Sequence, residues 1–168
     1  MRIYTIGYEG FGIDEWVTRL HEAGVQLVVD VRELPLSRRP GFSKRKLAER
    51  LAAEGIDYVS VRALGSPPEL RAPLKRGTLT FAEFAPRFRE VLAEREPELR
   101  EVLRLAQQRS AVLVCWEEDP ARCHRSLVAD ALRRLAEESL REPLEVVDIR
   151  RWERTFTSPP DGRAPCGS

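Results

Sequence analysis

Two short runs of the chain are apolar almost without interruption, and they restrict the fold more than any other feature. Residues 27–31 read LVVDV and residues 111–115 read AVLVC. A strand with apolar side chains on both faces has to be covered on both sides, which is typical of a parallel sheet between layers of helices. Both runs are far shorter than the ~20 residues of a membrane span, so we expect no membrane association.

Further strand-like runs and several helical patterns alternate with these two runs. The other strands are predicted at residues 3–6, 57–61 and 144–149, and the helices at residues 14–23, 43–54, 80–92, 97–106 and from 120 onward. The proline-rich residues 62–77 are expected to form a long irregular segment. This order predicts a single α/β domain with a mostly parallel five-stranded sheet, flanked by helices in a Rossmann-like layering. We place the domain at residues 1–153 and a loosely structured C-terminal tail at residues 154–168.

Charge and cysteine content limit the expected partners and compartment of the protein. The 168 residues carry a net charge of only +1, so binding to a polyanion would have to depend on local clusters of charge. One such cluster lies in residues 32–50, which contain seven basic side chains and two acidic ones. Three cysteines, an odd number, and the lack of a signal-peptide pattern favour free thiols in a reducing cytoplasm.

Polar residues follow several of the predicted strands, at the point where each strand ends. Ligands of parallel sheets bind beyond the carboxyl ends of the strands, so these residues are expected to meet at one edge. The candidate site residues are Gly7, Tyr8, Asp30, Arg32, Arg38, Arg39, Glu117, Cys123, His124 and Arg125. In this interpretation Arg32, Arg38 and Arg39 hold anionic oxygens, because a guanidinium can bond two oxygens at once. Asp30 or Glu117 would act as an acid–base group or orient an arginine.

Residues 111–125 combine a strand, an acidic turn and the start of a helix. Asp119 followed by Pro120 is typical of a helix N-cap and the first helical residue. This reading puts Cys123, His124 and Arg125 in or just after the first helical turn. The free backbone N–H groups at a helix start attract anions. The segment therefore predicts a site for a phosphate-bearing ligand.

The same segment contains a candidate nucleophile. Cys123 has His124 as its neighbour and possible base, although successive side chains of a helix diverge by about 100° and need not touch. A helix start also lowers the pKa of a nearby thiol. A phosphatase-like loop beginning at Cys115 would need an arginine six positions later, where the chain has Ala121, so that reading fails.

Metal and dinucleotide sites receive less support from the pattern. Cys115, Cys123 and His124 are three possible zinc ligands, but no C-x-x-C pair is present and His21 is the only other histidine. We therefore predict no metal, and we interpret Cys115 as a small buried side chain. The glycines of residues 7–12 are spaced G-x-x-G-x-G rather than G-x-G-x-x-G. No cofactor is predicted.

Several of these pieces together resemble the DUF488 family of uncharacterised bacterial and archaeal proteins. The matching residues are T-I-G-Y at 5–8, V-D-V-R at 29–32 with Pro35, Ser37 and Arg38, Phe42-Ser43, Leu64-Gly65, and C-x-E-x-x-P-x-x-C-H-R at 115–125 with Ala129. The first motif of the family often reads T-I-G-H-S, whereas Tyr8 and Glu9 follow the glycine here. The resemblance implies an α/β fold and a site assembled from these motifs. It implies no activity.

Three functions are open on the sequence alone, and they differ in whether the protein is an enzyme. The leading one is binding of a phosphate-bearing small molecule or nucleic acid at the carboxyl edge of the sheet, with or without a reaction. The second is a thiol-dependent enzyme that uses Cys123. The third is a non-catalytic adaptor that docks a partner through its basic loops.

Overall fold

A sheet of five strands forms the centre of the protein. The computed structural model describes residues 1–151; the predicted tail at residues 154–168 lies outside the described residues. The strands are β1 (Arg2–Gly7), β2 (Leu27–Asp30), β3 (Asp57–Ser60), β4 (Ala111–Cys115) and β5 (Glu145–Asp148). Their order is β3-β2-β4-β1-β5, and every neighbouring pair is parallel. The predicted α/β fold with a parallel five-stranded sheet is thus confirmed.

Six α-helices cover the two faces of this sheet within residues 1–151. They are α1 (Ile13–Glu22), α2 (Lys44–Ala53), α3 (Pro68–Arg76), α4 (Phe81–Ala93), α5 (Glu96–Gln108) and α6 (His124–Leu140). Each of the loops between β1 and β3 carries one helix, and three helices lie between β3 and β4. Across the described residues, no helix combines the length and the apolar character needed to cross a membrane.

Each face of the sheet has its own hydrophobic core. In β1, β2, β3 and β4, even-numbered residues such as Val28 and Val112 pack with α1 and α2, whereas odd-numbered ones such as Val29 and Leu113 pack with α4, α5 and α6. Successive side chains of a strand point to opposite faces, so a run that is apolar at every position supplies both cores. The uninterrupted apolar runs of β2 and β4 therefore follow from their position inside the sheet.

The structure corrects the prediction for residues 62–77, which form a short turn and a helix rather than an irregular segment. A 3₁₀ turn spans Arg62–Leu64, and α3 begins at Pro68. Proline is tolerated in the first turn of a helix, because its missing N–H has no partner there and its φ angle suits the helix. Gly77 ends α3 with a φ of 78°, a left-handed conformation that favours glycine. Pro68 thus helps to start a helix in a segment where we expected the prolines to prevent a helix.

Candidate functional site

The carboxyl ends of three strands meet at the middle of one edge of the sheet. β4 lies between β1 and β2, with Gly7 opposite Cys115 and Asp30 opposite Val114. After β1 and β2 the chain continues outward to β3 at one edge of the sheet. It then returns to form β4 between β1 and β2. Ligands of doubly wound sheets bind where the strand order reverses in this way, so a ligand site is expected at this edge of the sheet.

The loop that follows β4 is fixed directly over the end of β1. Tyr8 donates its backbone N–H to the carbonyl of Cys115 (3.2 Å), and Glu9 donates to that of Trp116 (2.9 Å). A Cβ atom on Gly7 would fall on the carbonyl of Glu117, so only glycine permits this approach. Gly7 is buried and positions the loop, although we had expected it to contact a ligand.

Arg125 holds the same loop from the other side. Its guanidinium donates to the carbonyls of Glu117 and Glu118, the latter at 2.9 Å, and lies 3.3 Å from Asp148 Oδ1. The side chain is completely buried. We had placed Arg125 among the ligand-binding residues; in the structure its hydrogen bonds go to the protein's own loop and to the end of β5.

The predicted start of the last helix is wrong by one turn. Asp119 caps a separate 3₁₀ turn, Pro120–Arg122, and accepts a hydrogen bond from the N–H of Ala121 (2.9 Å). α6 begins at His124, and Cys123 is its N-cap, with its Sγ accepting from the N–H of Arg125 (3.5 Å). An N-cap residue has extended rather than helical dihedral angles, here φ −125° and ψ 140°. Cys123 and His124 are therefore not successive helical residues, and their side chains need not diverge by about 100°.

Two thiols, an imidazole and a carboxylate converge at this point, and we call them the thiol–imidazole centre: Cys115, Glu117, Cys123 and His124. His124 Nδ1 lies 3.3 Å from the Sγ of Cys115 and 4.0 Å from the Sγ of Cys123. The thiol of Cys115 also donates to Glu117 Oε2 at 3.2 Å. Cys123 is 1% exposed and His124 is 9% exposed, so the centre lies just beneath the surface.

The orientation of the His124 ring is fixed by its other nitrogen. His124 Nε2 lies 2.8 Å from the backbone carbonyl of Val31, at the end of β2. A carbonyl oxygen can only accept, so Nε2 carries the hydrogen, and Nδ1 is the nitrogen that faces the two sulfurs. Phe88 contacts the ring edge-on, with 5.6 Å between the ring centroids. The imidazole is thus held ready to exchange a proton with either thiol or to bind a metal.

The surroundings shift the pKa values of the two thiols in opposite directions. Burial alone would raise the pKa of Cys123, but hydrogen bonds from Cys115 and His124, together with the positive charges of His124 and Arg125, bring that pKa well below its ordinary value. Burial and the neighbouring Cys123 raise the pKa of Cys115. The N-cap position explains the direction for Cys123, because a backbone N–H and the helix dipole both favour a negative sulfur there.

The carboxyl group of this centre is also perturbed. Burial raises the pKa of Glu117 to about 7, and the negative charge of Cys123 adds to the effect. Burial would lower the pKa of His124, but its hydrogen bond with Cys123 and the charge on that sulfur raise it. Perturbed groups that contact one another are characteristic of functional sites, although ion-pair networks produce them too.

A second buried polar cluster, the Asp30–Arg32 network, lies at the end of β2. Arg32 donates from Nε and Nη2 to the two oxygens of Asp30, at 2.8 and 2.7 Å. Its Nη1 donates to the hydroxyl of Tyr8 (3.1 Å) and to the carbonyl of Phe42 (2.8 Å). Tyr58 donates its hydroxyl to Asp30 at 2.6 Å. All three guanidinium nitrogens of Arg32 are therefore bonded to protein groups.

The two clusters lie on opposite faces of the sheet. Asp30 is even-numbered and points toward α1 and α2, where Tyr8 stacks on Phe42 with 4.6 Å between ring centroids. Cys115 is odd-numbered and points toward α6. Arg32 and His124 were expected to complete one pocket, and the structure does not bring their side chains together, because strand alternation separates them.

The remaining predicted ligand-binding residues, Arg38 and Arg39, lie between the end of β2 and α2. We call residues 33–49 the rim. Arg38 is exposed, and Arg39 is half-buried and donates from Nε to the carbonyl of Phe11. The exposed Leu34 and Leu36 lie in the same loop. Of the predicted site residues, the structure therefore groups Glu117, Cys123 and His124 in one cluster and leaves Arg38 and Arg39 outside it.

Sequence reasoning missed the part that Cys115 plays in the centre. We interpreted it as a small packing residue because four apolar residues precede it, and it is indeed 5% exposed. Its position carried a usable signal, since it is the last residue of β4 and lies at the edge where Asp30 was selected by the same rule. Cys115, Cys123 and His124 also offer three ligand atoms within 4.8 Å of one another, a spacing that can hold a metal ion.

Comparison with known proteins identifies the family of the chain but no activity. Residues 12–132, more than half of the chain, match the family model described as a domain of unknown function, DUF488. No curated protein and no solved structure matches the chain. The matched range includes the whole thiol–imidazole centre and the Asp30–Arg32 pair, whereas Gly7 and Tyr8 precede it. The chain therefore belongs to the DUF488 family, as the motifs at residues 29–32 and 115–125 had indicated.

Proposed function

We propose that the protein is a thiol-dependent enzyme in which Cys123 is the nucleophile and His124 its base. The observation that carries the proposal is the orientation of His124: Nε2 donates to the carbonyl of Val31, and Nδ1 faces two buried sulfurs. Histidines that only fill space do not need a fixed tautomer facing a pair of thiols. Nucleophilic cysteines use this kind of arrangement, in which a second group orients the base.

The step that this geometry supports is attack of the Cys123 sulfur on an electrophilic atom. The sulfur forms a bond to that atom, the leaving group departs with its electron pair, and the thiol proton passes to His124 Nδ1. The backbone N–H of Arg125 already donates to the sulfur and stabilises its negative charge. Because Cys123 is only 1% exposed, we expect the electrophile to be small.

Alkylation of metal-free protein tests the proposal. A Cys166→Ser background leaves Cys115 and Cys123 as the only thiols of the chain. With a small reagent such as iodoacetamide at neutral pH, mass spectrometry should find Cys123 modified first, and His124→Gln should slow that reaction at least tenfold. His21→Gln, an exposed histidine on α1, is the matched control and should change nothing. Equal rates in the His124→Gln variant and its parent would rule out a base at this position.

A second candidate, binding of a phosphate-bearing ligand, is favoured by one observation at the rim. Arg38, Lys44 and Lys46 are exposed, and within residues 1–151 no acidic side chain pairs with them. Arg45, beside them, is paired with Glu49 at 3.0 Å. Unpaired cations close to the carboxyl edge are suited to phosphate oxygens. The same surface would serve the adaptor hypothesis, in which a partner protein binds and the thiol–imidazole centre is inert.

Titration at low salt separates these possibilities. Nucleotides and short single-stranded DNA or RNA should bind with an affinity that falls as salt rises, and Arg38→Ala should weaken binding several-fold. Arg45→Ala removes the same charge from a paired position and should have a smaller effect. The absence of binding to any of these probes would eliminate the phosphate-bearing ligand as a function of this surface.

A further inference from the structure

We propose that Cys115, Cys123 and His124, with Glu117 as a fourth ligand, form a binding site for a single Zn²⁺ ion. The inference uses the same residues as the proposed thiol function and deepens it, because an ion held there controls whether the thiols can react. It stands on three separate observations: the spacing of the ligand atoms, the orientation of the imidazole and the rigidity of the segments that carry them.

The distances between the ligand atoms fit tetrahedral zinc. With Zn–S bonds of ~2.3 Å and Zn–N bonds of ~2.0 Å, tetrahedral angles place a sulfur and a nitrogen about 3.5 Å apart. The two observed S···Nδ1 distances, 3.3 and 4.0 Å, lie on either side of that value. Glu117 Oε2 lies 3.2 Å from the Sγ of Cys115, beside this group of three, and would have to move toward it to take the fourth position. Shifts of a few tenths of an ångström would bring both sulfur–nitrogen separations to the tetrahedral value.

The imidazole is oriented as a metal ligand requires. His124 Nδ1 faces the sulfurs, and the opposite nitrogen donates to the backbone carbonyl of Val31 at 2.8 Å. Histidine ligands in proteins almost always use their second nitrogen in this way, which fixes the ring and the tautomer. Two thiolates and an imidazole are soft and borderline donors, so the site suits Zn²⁺ rather than Mg²⁺ or Ca²⁺.

The segments that carry the ligands are held in place by the fold. Cys115 ends a central strand, and Cys123 and His124 start α6. The connecting loop is fixed by the close approach to Gly7 and by the hydrogen bonds from Arg125. A disulfide between the two cysteines would account for neither the position of the imidazole nor that of Glu117. A metal ion accounts for the convergence of both sulfurs and the imidazole nitrogen.

Zinc at this site would suppress the thiol chemistry. A thiolate bound to zinc is less nucleophilic than the free thiolate, because the ion withdraws negative charge from the sulfur, so the zinc-bound form is the slower one to react. Glu117 is only partly buried, unlike the two cysteines, and is the ligand most easily exchanged. Zinc binding should therefore slow the alkylation of Cys123.

Metal titration of the full-length Cys166→Ser protein tests the site. Reduced, metal-free protein should take up one Co²⁺ per chain with a thiolate-to-cobalt charge-transfer band, and Zn²⁺ should displace the cobalt and abolish the band. Cys115→Ser, Cys123→Ser and His124→Ala should each weaken zinc binding by more than about 100-fold, since loss of an outer-shell partner alone commonly costs 10–100-fold. His21→Ala is the control and should bind zinc like the parent.

A protection experiment covers the case in which a variant fails to fold. In the same background, with the centre itself unchanged, one equivalent of Zn²⁺ should reduce alkylation of both remaining cysteines at least tenfold, and a chelator should restore it. No charge-transfer band, or no protection by zinc, overturns the zinc site. A zinc site without fast alkylation of the metal-free protein leaves the inference standing and removes the thiol enzyme; the reverse result removes the zinc site alone.

Discussion

The two buried polar clusters at the carboxyl edge are close together and differ in how completely the protein satisfies them. In the Asp30–Arg32 network every nitrogen of the guanidinium donates to a protein oxygen, and both carboxylate oxygens accept. In the thiol–imidazole centre two sulfurs, a ring nitrogen and a carboxylate face one another, with only weak hydrogen bonds from thiols between them. In the first cluster the guanidinium and carboxylate atoms are all hydrogen-bonded to the protein. In the second, the sulfurs and the ring nitrogen can still bind a ligand or react.

This difference indicates what each cluster contributes. Burial would lower the pKa of Arg32, but the hydrogen bond and charge of Asp30 raise it, so the pair is held in its charged form. An ion pair of this kind holds its neighbours in position and has no group left for a ligand. A buried set of thiols and an imidazole contributes little to stability by itself, and we expect its value to lie in chemistry. Substitutions in the two clusters should therefore differ, those at Asp30 in stability and those at His124 in zinc binding and thiol reactivity.

Asp30→Ala should be the most destabilising of these substitutions. It leaves the charge of Arg32 buried without its carboxylate, and breaking a buried ion pair in this way typically costs 3–5 kcal/mol, so we expect a loss of about 4 kcal/mol. Urea unfolding monitored by circular dichroism measures it, with an unchanged m value showing that the transition is still two-state. A loss below about 1 kcal/mol would show that the network is not a structural ion pair and that the two clusters do not differ in this way.

Zinc should stabilise the protein through one cluster only. At free Zn²⁺ about 100 times the dissociation constant, mass action raises the free energy of unfolding by about 2.7 kcal/mol. His124→Ala should lose this increment. The Asp30→Ala variant should keep it, because its substitution lies on the other face of the sheet. Thermal melts with and without zinc measure the shift, and a parent protein whose midpoint is insensitive to zinc would contradict the expectation.

Tyr58→Phe should show how much a single hydrogen bond of the Asp30–Arg32 network contributes to the free energy of unfolding. The hydroxyl of Tyr58 donates to Asp30 at 2.6 Å, and a hydrogen bond to a charged group is worth about 1.5 kcal/mol at the lower end of its range. We expect a loss of that size in urea unfolding and no change in the alkylation rate of Cys123. A change in that rate would show that the two clusters are coupled across the sheet.

Arg45→Ala provides the baseline for surface electrostatics. Arg45 and Glu49 form an exposed pair one turn apart on α2, with side chains 91% and 64% accessible. Exposed pairs contribute little, so the change in unfolding free energy should stay within about 0.5 kcal/mol. A larger loss, measured in the same urea series, would mean that the rim contributes to the fold and is not only a binding surface.

Much of the architecture could be predicted from local pattern. The apolar runs of β2 and β4 identified a parallel sheet covered on both faces, and the helix predicted at residues 80–92 is present as α4, which begins behind a capping box of Thr80 and Glu83. Residues 62–77 could not be read correctly, because proline at the first turn and proline in a loop look alike in a sequence. The first turn of α6 was misplaced for a related reason: Asp119 caps a 3₁₀ turn that ends before the helix begins.

The candidate site was predictable in its location and not in its composition. The rule that ligands bind at the carboxyl ends of parallel strands selected Asp30, Glu117, Cys123 and His124. It did not show which of them touch, since Asp30 and Cys115 end neighbouring strands and point to opposite faces. Cys115 itself was set aside because its neighbours in sequence are apolar, although its neighbours in space are His124 and Glu117.

The sequence by itself determined the fold class, the edge at which polar residues gather and the family to which the chain belongs. These depend on hydrophobic periodicity and on short motifs, which act over a few residues. The tertiary structure alone decided that Arg32 and Arg125 bond to the protein's own groups and that two cysteines 8 positions apart face one imidazole. Such contacts depend on strand register, on the alternation of faces and on the turn at which a helix begins. A displacement of one residue in any of them would turn Cys115 or His124 away from the centre.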